Sequence, residues 1–271
     1  MNEAITDEEQ PDSLFVPDGR HMVPTTRSRG PWSDRALHGG PVAALVTRSS
    51  EELSGDDGLQ QVRLTLELIR PVPLAPLLVT SRLVRPGRKV QLVDTVVEAD
   101  GVEVAWSRAL RIRVATDQPA AVPTVPEDRA PDSPESRPST AMVVADSQAF
   151  HNHGVEMRYV AGDPGRPGPA VVWIRLRCPV VPDESPTPWQ RAAAAADFGN
   201  GIGNELPFGA GAFINPDLTV SLHRPPVGEW ICLDARTRFG SPGIGSAESA
   251  LWDVEGRIGR AVQNLIVEAG A

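Results

Sequence analysis

The sequence predicts an α+β fold built from two tandem copies of one unit, each a long helix laid against antiparallel strands. Three observations carry this. The first is an internal repeat. Residues 64–71 read LTLELIRP and residues 218–225 read LTVSLHRP, so Arg70-Pro71 precedes Arg224-Pro225 by 154 positions (224 − 70 = 154). Beyond the turn, Leu77 to Arg82 lies opposite Ile231 to Arg236 at the same offset, and Asp100-Gly101 lies opposite Glu255-Gly256 at an offset of 155. The second is that a helix-like segment precedes each repeat block and strand-like runs follow it. The third is a proline-, serine- and acid-rich stretch between the copies. Duplication of this kind places a functional site where the copies meet.

The elements follow in order. Residues 1–22 are expected to be a disordered or loosely attached tail. The N-terminal unit spans 23–114. Within it, residues 30–54 read as a helix entered through a glycine-rich turn. Gly39, Gly40 and Pro41 mark its start, Val42, Leu45 and Val46 form an i, i+3, i+4 stripe, and Ser54-Gly55 closes it. Strands are expected at 62–69, 76–85, 90–98 and 102–113, separated by Pro71-Val72-Pro73, Arg85-Pro86-Gly87 and Asp100-Gly101. Residues 115–140 have little to bury and read as a linker or surface excursion.

The C-terminal unit spans 141–271. It opens with strand-like segments 153–160 and 169–179. A helix at 187–204 has Thr187 as N-cap, Pro188 at its first position, and an alanine run narrow enough to lie deep against a sheet. Gly199, Gly201 and Gly203 end or loosen it. Strands at 217–223, 229–239, 243–252 and 257–268 mirror those of the first copy.

Composition limits the function classes. A chain of 271 residues accommodates two small units with cores of their own. A net charge of −9 argues against nucleic acid or an anionic membrane surface as the main partner. The basic residues are almost all arginine; Lys89 is the single lysine. Cys178 and Cys232 lie in apolar runs and read as buried free thiols. No Cys/His cluster suggests zinc; His151 and His153, two apart, would share a strand face but make only half a metal site. The acidic N-terminus is unlike a signal peptide, and no apolar run approaches the ~20 residues of a membrane span. A cytoplasmic setting is expected.

A buried helix followed by a strand meander, duplicated in one chain, resembles the double-hotdog fold. The second copy is similar to the type II acyl-CoA thioesterases and their thioesterase-like relatives. The residues behind this are Asp197-Phe198-Gly199-Asn200-Gly201, then Ile214 to Thr219, then Leu222-His223-Arg224-Pro225 with Gly228-Glu229-Trp230, and Gly256-Arg257 with Gln263. His38-Gly39-Gly40 and the Arg70-Pro71 strand end fit in the first copy. In that family an Asp on the second helix, a Thr entering the next long strand and a Gln late in the last strand hold the attacking water. The resemblance puts Asp197 in the Asp position and Gln263 in the Gln position. Counted back from the shared His-Arg dipeptide, the Thr position falls on Asn215, a departure. An amide can hydrogen-bond a water but with different donor and acceptor geometry; Asn215 also reads as a turn residue before Pro216. Thr219 is a second candidate for the missing hydroxyl.

These residues suit thioester hydrolysis, which needs a deprotonated water and donors for the developing oxyanion. A buried carboxylate such as Asp197 can act as base. Gln263 can orient the water without taking its proton. The N–H groups of Gly39 and Gly40, at a helix start, can bind an oxyanion. His38 reads either as a substrate hydrogen-bonder or as a loop histidine satisfied by backbone, and Asn200 as a substrate contact or a helix-end cap. No nucleophile motif is present, and no cofactor is expected, since CoA enters as part of the substrate. Rim arginines would pair with its phosphates. The expected function is hydrolysis of an acyl-CoA or other acyl thioester. Two alternatives remain: a non-hydrolytic acyl-thioester binder, and a hotdog enoyl-thioester hydratase or dehydratase using His38. Pairing of the copies within one chain leaves a higher homo-oligomer as an expectation by analogy.

Overall fold

The two repeat blocks become neighbouring strands. The computed structural model describes residues 12–31, 33–53, 58–115, 130–141, 149–206, 210–240 and 242–269. In chain order its elements are β1 (Phe15–Asp18), β2 (His21–Pro24), α1 (Gly39–Glu52), β3 (Leu59–Glu67), β4 (Leu77–Pro86), β5 (Val90–Ala99) and β6 (Val102–Arg113). The second half supplies α2 (Phe150–His153), β7 (Val155–Ala161), β8 (Ala170–Leu176), α3 (Pro188–Ala196), α4 (Gly199–Ile202), β9 (Gly211–Ile214), β10 (Asp217–Leu222), β11 (Ile231–Phe239), β12 (Ile244–Asp253) and β13 (Gly256–Ala269).

The strands form one sheet in the order β1-β2-β4-β5-β6-β3-β10-β13-β12-β11-β8-β7, with β9 on the end of β13. The halves join at β3 and β10, which run antiparallel with Thr65 opposite Thr219. These two residues are equivalents in the repeat (219 − 65 = 154). Leu64 likewise pairs with Val220 and Leu66 with Leu218. A pseudo-two-fold axis therefore passes between Thr65 and Thr219, and the order β4-β5-β6-β3 is repeated as β11-β12-β13-β10.

Strand alternation decides what reaches the helices. On β10, Leu218, Val220 and Leu222 are buried in the core, and on β13 Ala261, Gln263 and Leu265 are buried. Their neighbours Thr219 and Val262 pair across the opposite face. One hydrophobic cluster runs through both halves, joining Val42, Leu45 and Val46 of α1, the alanines of α3, and the inward leucines of β3 and β10.

The two helices cross closely because both are lined by small residues. A Cβ on Gly40 would stand 2.6 Å from the Ala194 carbonyl oxygen. Helix α3 begins with a complete capping box, Thr187 with Gln190, and Pro188 in the first turn; such a cap contributes about 1 kcal/mol. Each helix ends in a carboxylate held by residues that begin the other. Glu51 of α1 accepts from Thr187 Oγ1 and from Gln190 Nε2, both at 2.9 Å. Asp197, the C-cap of α3, meets His38, the N-cap of α1.

Four expectations need correction. Residues 13–22 are no loose tail. Leu14 and Phe15 are fully buried, and their N–H groups bond the carbonyls of Pro179 and Val180; residues 1–11 lie outside the described residues. The first helix starts at Gly39, since residues 33–38 are non-helical and make the isolated bridges Arg29–Leu37 and Ala36–Pro73. The second helix is interrupted at Asp197-Phe198, where α3 gives way to the single turn of α4. His151 and His153 sit on the one-turn α2, so they do not share a strand face. Of the segment expected as a linker or surface excursion, residues 130–141 lie on the sheet, with Trp173 Nε1 donating to the Asp132 carbonyl at 2.8 Å; residues 116–129 are not described.

The outer sheet face of the second half carries a separate aromatic cluster of Trp173, Trp230 and Trp252 around Cys232. Arg158 and Arg175 lie against Trp230, 4.9 and 4.8 Å from its centroid. Both cysteines are free. Burial pushes the Cys178 thiol up to about 12 and raises Cys232 as well. Neither is a thiolate nucleophile at neutral pH. No helix among the described residues is long and apolar enough to cross a membrane.

Candidate active site

A cavity of about 550 Å³ opens where the two halves meet. One wall comes from the loop before α1, the start of α1 and the segment after β3; the other comes from the α3–α4 junction, β9 and the turn into β10. The lining is mostly apolar, including Val42, Leu68, Val72, Phe198 and Phe213. Ile69, Ile214 and Ile266 line it while remaining exposed.

The break between α3 and α4 turns Asp197 into this wall. Its carboxylate is nearly sealed, with 3% side-chain exposure. Asn215 Nδ2 donates to Oδ1 at 2.8 Å and Gln263 Nε2 donates to the same oxygen at 3.2 Å. His38 Nδ1 lies 2.8 Å from Oδ2. The Gln263 amide is itself fixed: Nε2 also faces the Asp197 carbonyl at 3.2 Å, and Oε1 accepts from the Asn200 N–H at 3.1 Å. Asn200 Nδ2 reaches the Phe213 carbonyl at 3.3 Å and Asn215 Oδ1 at 3.4 Å. Asp197, Asn215, Gln263, Asn200 and His38 thus form one hydrogen-bonded group. A carboxylate accepts about four hydrogen bonds. Two are in place, both on Oδ1; a third forms on Oδ2 when His38 Nδ1 carries hydrogen, and the remaining position also lies on Oδ2.

Glycines let this group close up. A Cβ on Gly39 would meet both Asp197 carboxylate oxygens at 2.7 Å, and one on Gly199 would stand 2.6 Å from Ser249 Oγ and 3.0 Å from Gln263 Oε1. The Gly39 N–H, first of the helix, has no acceptor among the described residues. The Gly40 N–H lies 3.0 Å from His38 Nδ1. One ring nitrogen cannot accept from Gly40 and donate to Asp197 together. When Nδ1 carries hydrogen and serves the carboxylate, the Gly40 N–H is released at the positive end of α1.

Models of two family domains match the chain. The acyl-CoA thioesterase N-terminal domain matches residues 28–113, and the acyl-CoA thioesterase C-terminal domain matches residues 119–267. The chain belongs to the acyl-CoA thioesterase family. The fold of this thioesterase is a double hotdog. Its solved neighbours include a hot dog fold protein of unknown function from Alicyclobacillus acidocaldarius, at 18% identity and TM-score 0.70, covering 96% of this chain and 98% of that one. A protein provisionally described as thioesterase II from Thermobifida fusca YX has 17% identity and TM-score 0.72, with 96% of each chain covered. The acyl-CoA thioesterase II TesB2 from Mycobacterium marinum has 16% identity and TM-score 0.62, covering 87% of this chain and 91% of that one. At these identities the likeness speaks for the fold. No curated protein sequence matches this one.

Most residues singled out from the thioesterase sequence lie at the cleft: His38, Gly39, Asp197, Asn200 and Asn215 line it, Gln263 stands directly behind Asp197, and Gly40 follows within α1. Thr219 does not belong there. It faces away from the helices beside Val262, so its hydroxyl cannot take the Asn215 position. Three residues were missed. His151, 3% exposed, lines the cleft. Phe150 and Phe198 hold the His38 ring at centroid distances of 5.1 and 4.7 Å. Only Phe198, inside the Asp197 to Gly201 block, carried a signal in the sequence.

Proposed function

We propose that this chain hydrolyses acyl-CoA to the free acid and CoA with a water activated by Asp197. The reaction class, hydrolysis of an acyl-CoA thioester, comes with family membership. The observation that carries the mechanism is the convergence of Asp197, Asn215 and Gln263 on the wall of an apolar cleft between the halves. The two amides occupy Oδ1 and fix the plane of the carboxylate. Its open position on Oδ2 receives the water, whose proton passes to Asp197 as its oxygen attacks the carbonyl carbon. Holding that water in line removes much of the entropic part of the barrier. The Gly39 and Gly40 N–H groups stabilise the oxyanion at the positive end of α1. The acyl chain lies along the apolar wall formed by Val42, Leu68 and Phe213.

Arg70 is the residue suited to the CoA phosphates. Its repeat equivalent Arg224 is clamped by Asp253, with Nη2 at 2.6 Å from Oδ1. Arg70 lines the cleft, is exposed, and has no ion pair among the described residues. A guanidinium at the mouth matches a phosphate in charge and geometry.

A panel of acyl-CoAs of increasing chain length, followed by thiol release, tests this reading. Thiol release at catalytic rates supports it; binding without release would make the chain a non-hydrolytic thioester binder. One observation also favours a second reading. The 2.8 Å contact between His38 and Asp197 is a histidine–carboxylate pair of the kind enoyl-thioester hydration uses. Loss of the conjugated enoyl absorbance without thiol release would identify that activity.

A further inference from the structure

We propose that His38 is the acid that protonates the departing thiolate. The inference rests on the hydrolytic reading above and assigns a second proton transfer to the same site. Expelling an alkyl thiolate leaves a strong base in an apolar cleft, so a donor near sulfur lowers the barrier. Asp197 cannot serve directly, because in the attack step it has just received the proton of water.

The geometry of His38 fits the task. Its Nδ1 is engaged within the protein, 2.8 Å from Asp197 Oδ2 and 3.0 Å from the Gly40 N–H. Its Nε2 has no hydrogen-bond partner among the described residues, while the residue lines the cleft. Phe150 packs edge-on at 5.1 Å and Phe198 tilts against the ring at 4.7 Å, so the imidazole is gripped by its body with one nitrogen left open. A ring oriented by a carboxylate at one nitrogen and open at the other is the arrangement of a proton-transfer histidine.

The step balances as follows. His38 enters with hydrogen on both nitrogens, Nδ1–H on Asp197. Water adds to the carbonyl carbon and its proton goes to the open position of Asp197 Oδ2. As the C–S bond breaks, its electron pair stays on sulfur and the Nε2 proton moves to that sulfur, giving the thiol and the carboxylic acid. After the products leave, the proton on Asp197 returns to Nε2 through cleft water. No other co-reactant is consumed.

Leaving-group dependence tests this. His38→Asn keeps a side-chain acceptor for the helix cap and an amide donor for Asp197 but loses Nε2. An acyl-CoA, whose alkyl thiolate needs a proton, is compared with the same acyl group on thionitrobenzoate, whose aryl thiolate leaves unaided. H38N is expected to lose about 100-fold in kcat/KM on the CoA ester and only a few-fold on the aryl ester. His38→Gln, measured alongside with thermal melts of both variants, guards against a folding defect in either one. Equal losses on the two esters, or no loss on the CoA ester, would overturn the assignment. If the unmutated protein releases no thiol from any acyl-CoA, the hydrolytic reading itself has failed.

Discussion

The Cα of Gly39 rests against the Asp197 carboxylate, so that a Cβ there would stand 2.7 Å from each of its oxygens. The backbone of Gly39 opens helix α1 without a left-handed angle. The constraint is therefore space at the carboxylate. Gly39→Ala is expected to fold, with an overpacking cost of about 1–3 kcal/mol. It should lose about 100-fold in kcat, because the carboxylate must swing off its two amide donors. Steady-state kinetics with a thermal melt separate the two effects.

Asn215 stands where the family resemblance places a Thr, and its Nδ2 donates to Asp197 Oδ1 at 2.8 Å. What the site uses there is a hydrogen-bond donor. Asn215→Thr supplies a hydroxyl and is expected to hold kcat within about 10-fold, whereas Asn215→Ala leaves Oδ1 to Gln263 alone and should cost about 100-fold. Equal activity in the alanine variant would remove Asn215 from the water-holding group.

Arg70 and Arg224 are equivalent in the repeat but differ in partner. Arg70→Ala should raise KM for acyl-CoA about 10-fold, equivalent to about 1.4 kcal/mol of binding. It should leave KM for the same acyl group on N-acetylcysteamine, which lacks phosphates, unchanged. The effect should shrink as salt is added.

Asp253 is expected to make the fold more stable at neutral pH than at acid pH. It is fully buried, and burial alone would raise its pKa. The hydrogen bond from Arg224 and those from the Val227 and Glu255 N–H groups outweigh burial and hold it below its ordinary value. A carboxyl lowered by folding contributes stability that is complete above the unfolded pKa and is lost as pH falls through the folded one. Asp253→Asn should therefore cost about 3 kcal/mol at neutral pH, as expected for breaking a buried pair. The gap from the unmutated protein should narrow well below 3.8. Urea melts at the two pH values measure it.

The sheet was readable from the sequence because the repeat is written in paired strands. Once LTLELIRP and LTVSLHRP are aligned, Thr65 opposite Thr219 and the mirrored strand order need only antiparallel pairing. Asp197, Asn215 and Gln263 were within reach for a different reason. The resemblance to the thioesterase family supplied their positions, with Asn215 found by counting back from the shared His-Arg dipeptide, and the fold brings them together. What escaped is what depends on tertiary contact. Strands β1 and β2 are four residues each, FVPD and HMVP, too short for a period to register; they form because Leu14 and Phe15 dock on Pro179 and Val180. The interruption at Asp197-Phe198 is invisible beside an alanine run that favours helix throughout. Thr219 looked available in one dimension, but the two-residue period of β10 turns it to the outer face.

Asp197→Asn is the most direct test of the account. The substitution keeps an oxygen to accept from Asn215 and Gln263 and puts an NH2 in place of Oδ2, which can neither take a proton nor accept from His38 Nδ1. With a saturating acyl-CoA that the unmutated protein cleaves, thiol release should fall about 1,000-fold or more while the thermal midpoint stays near its original value. Turnover at the original rate in a folded D197N protein would contradict it.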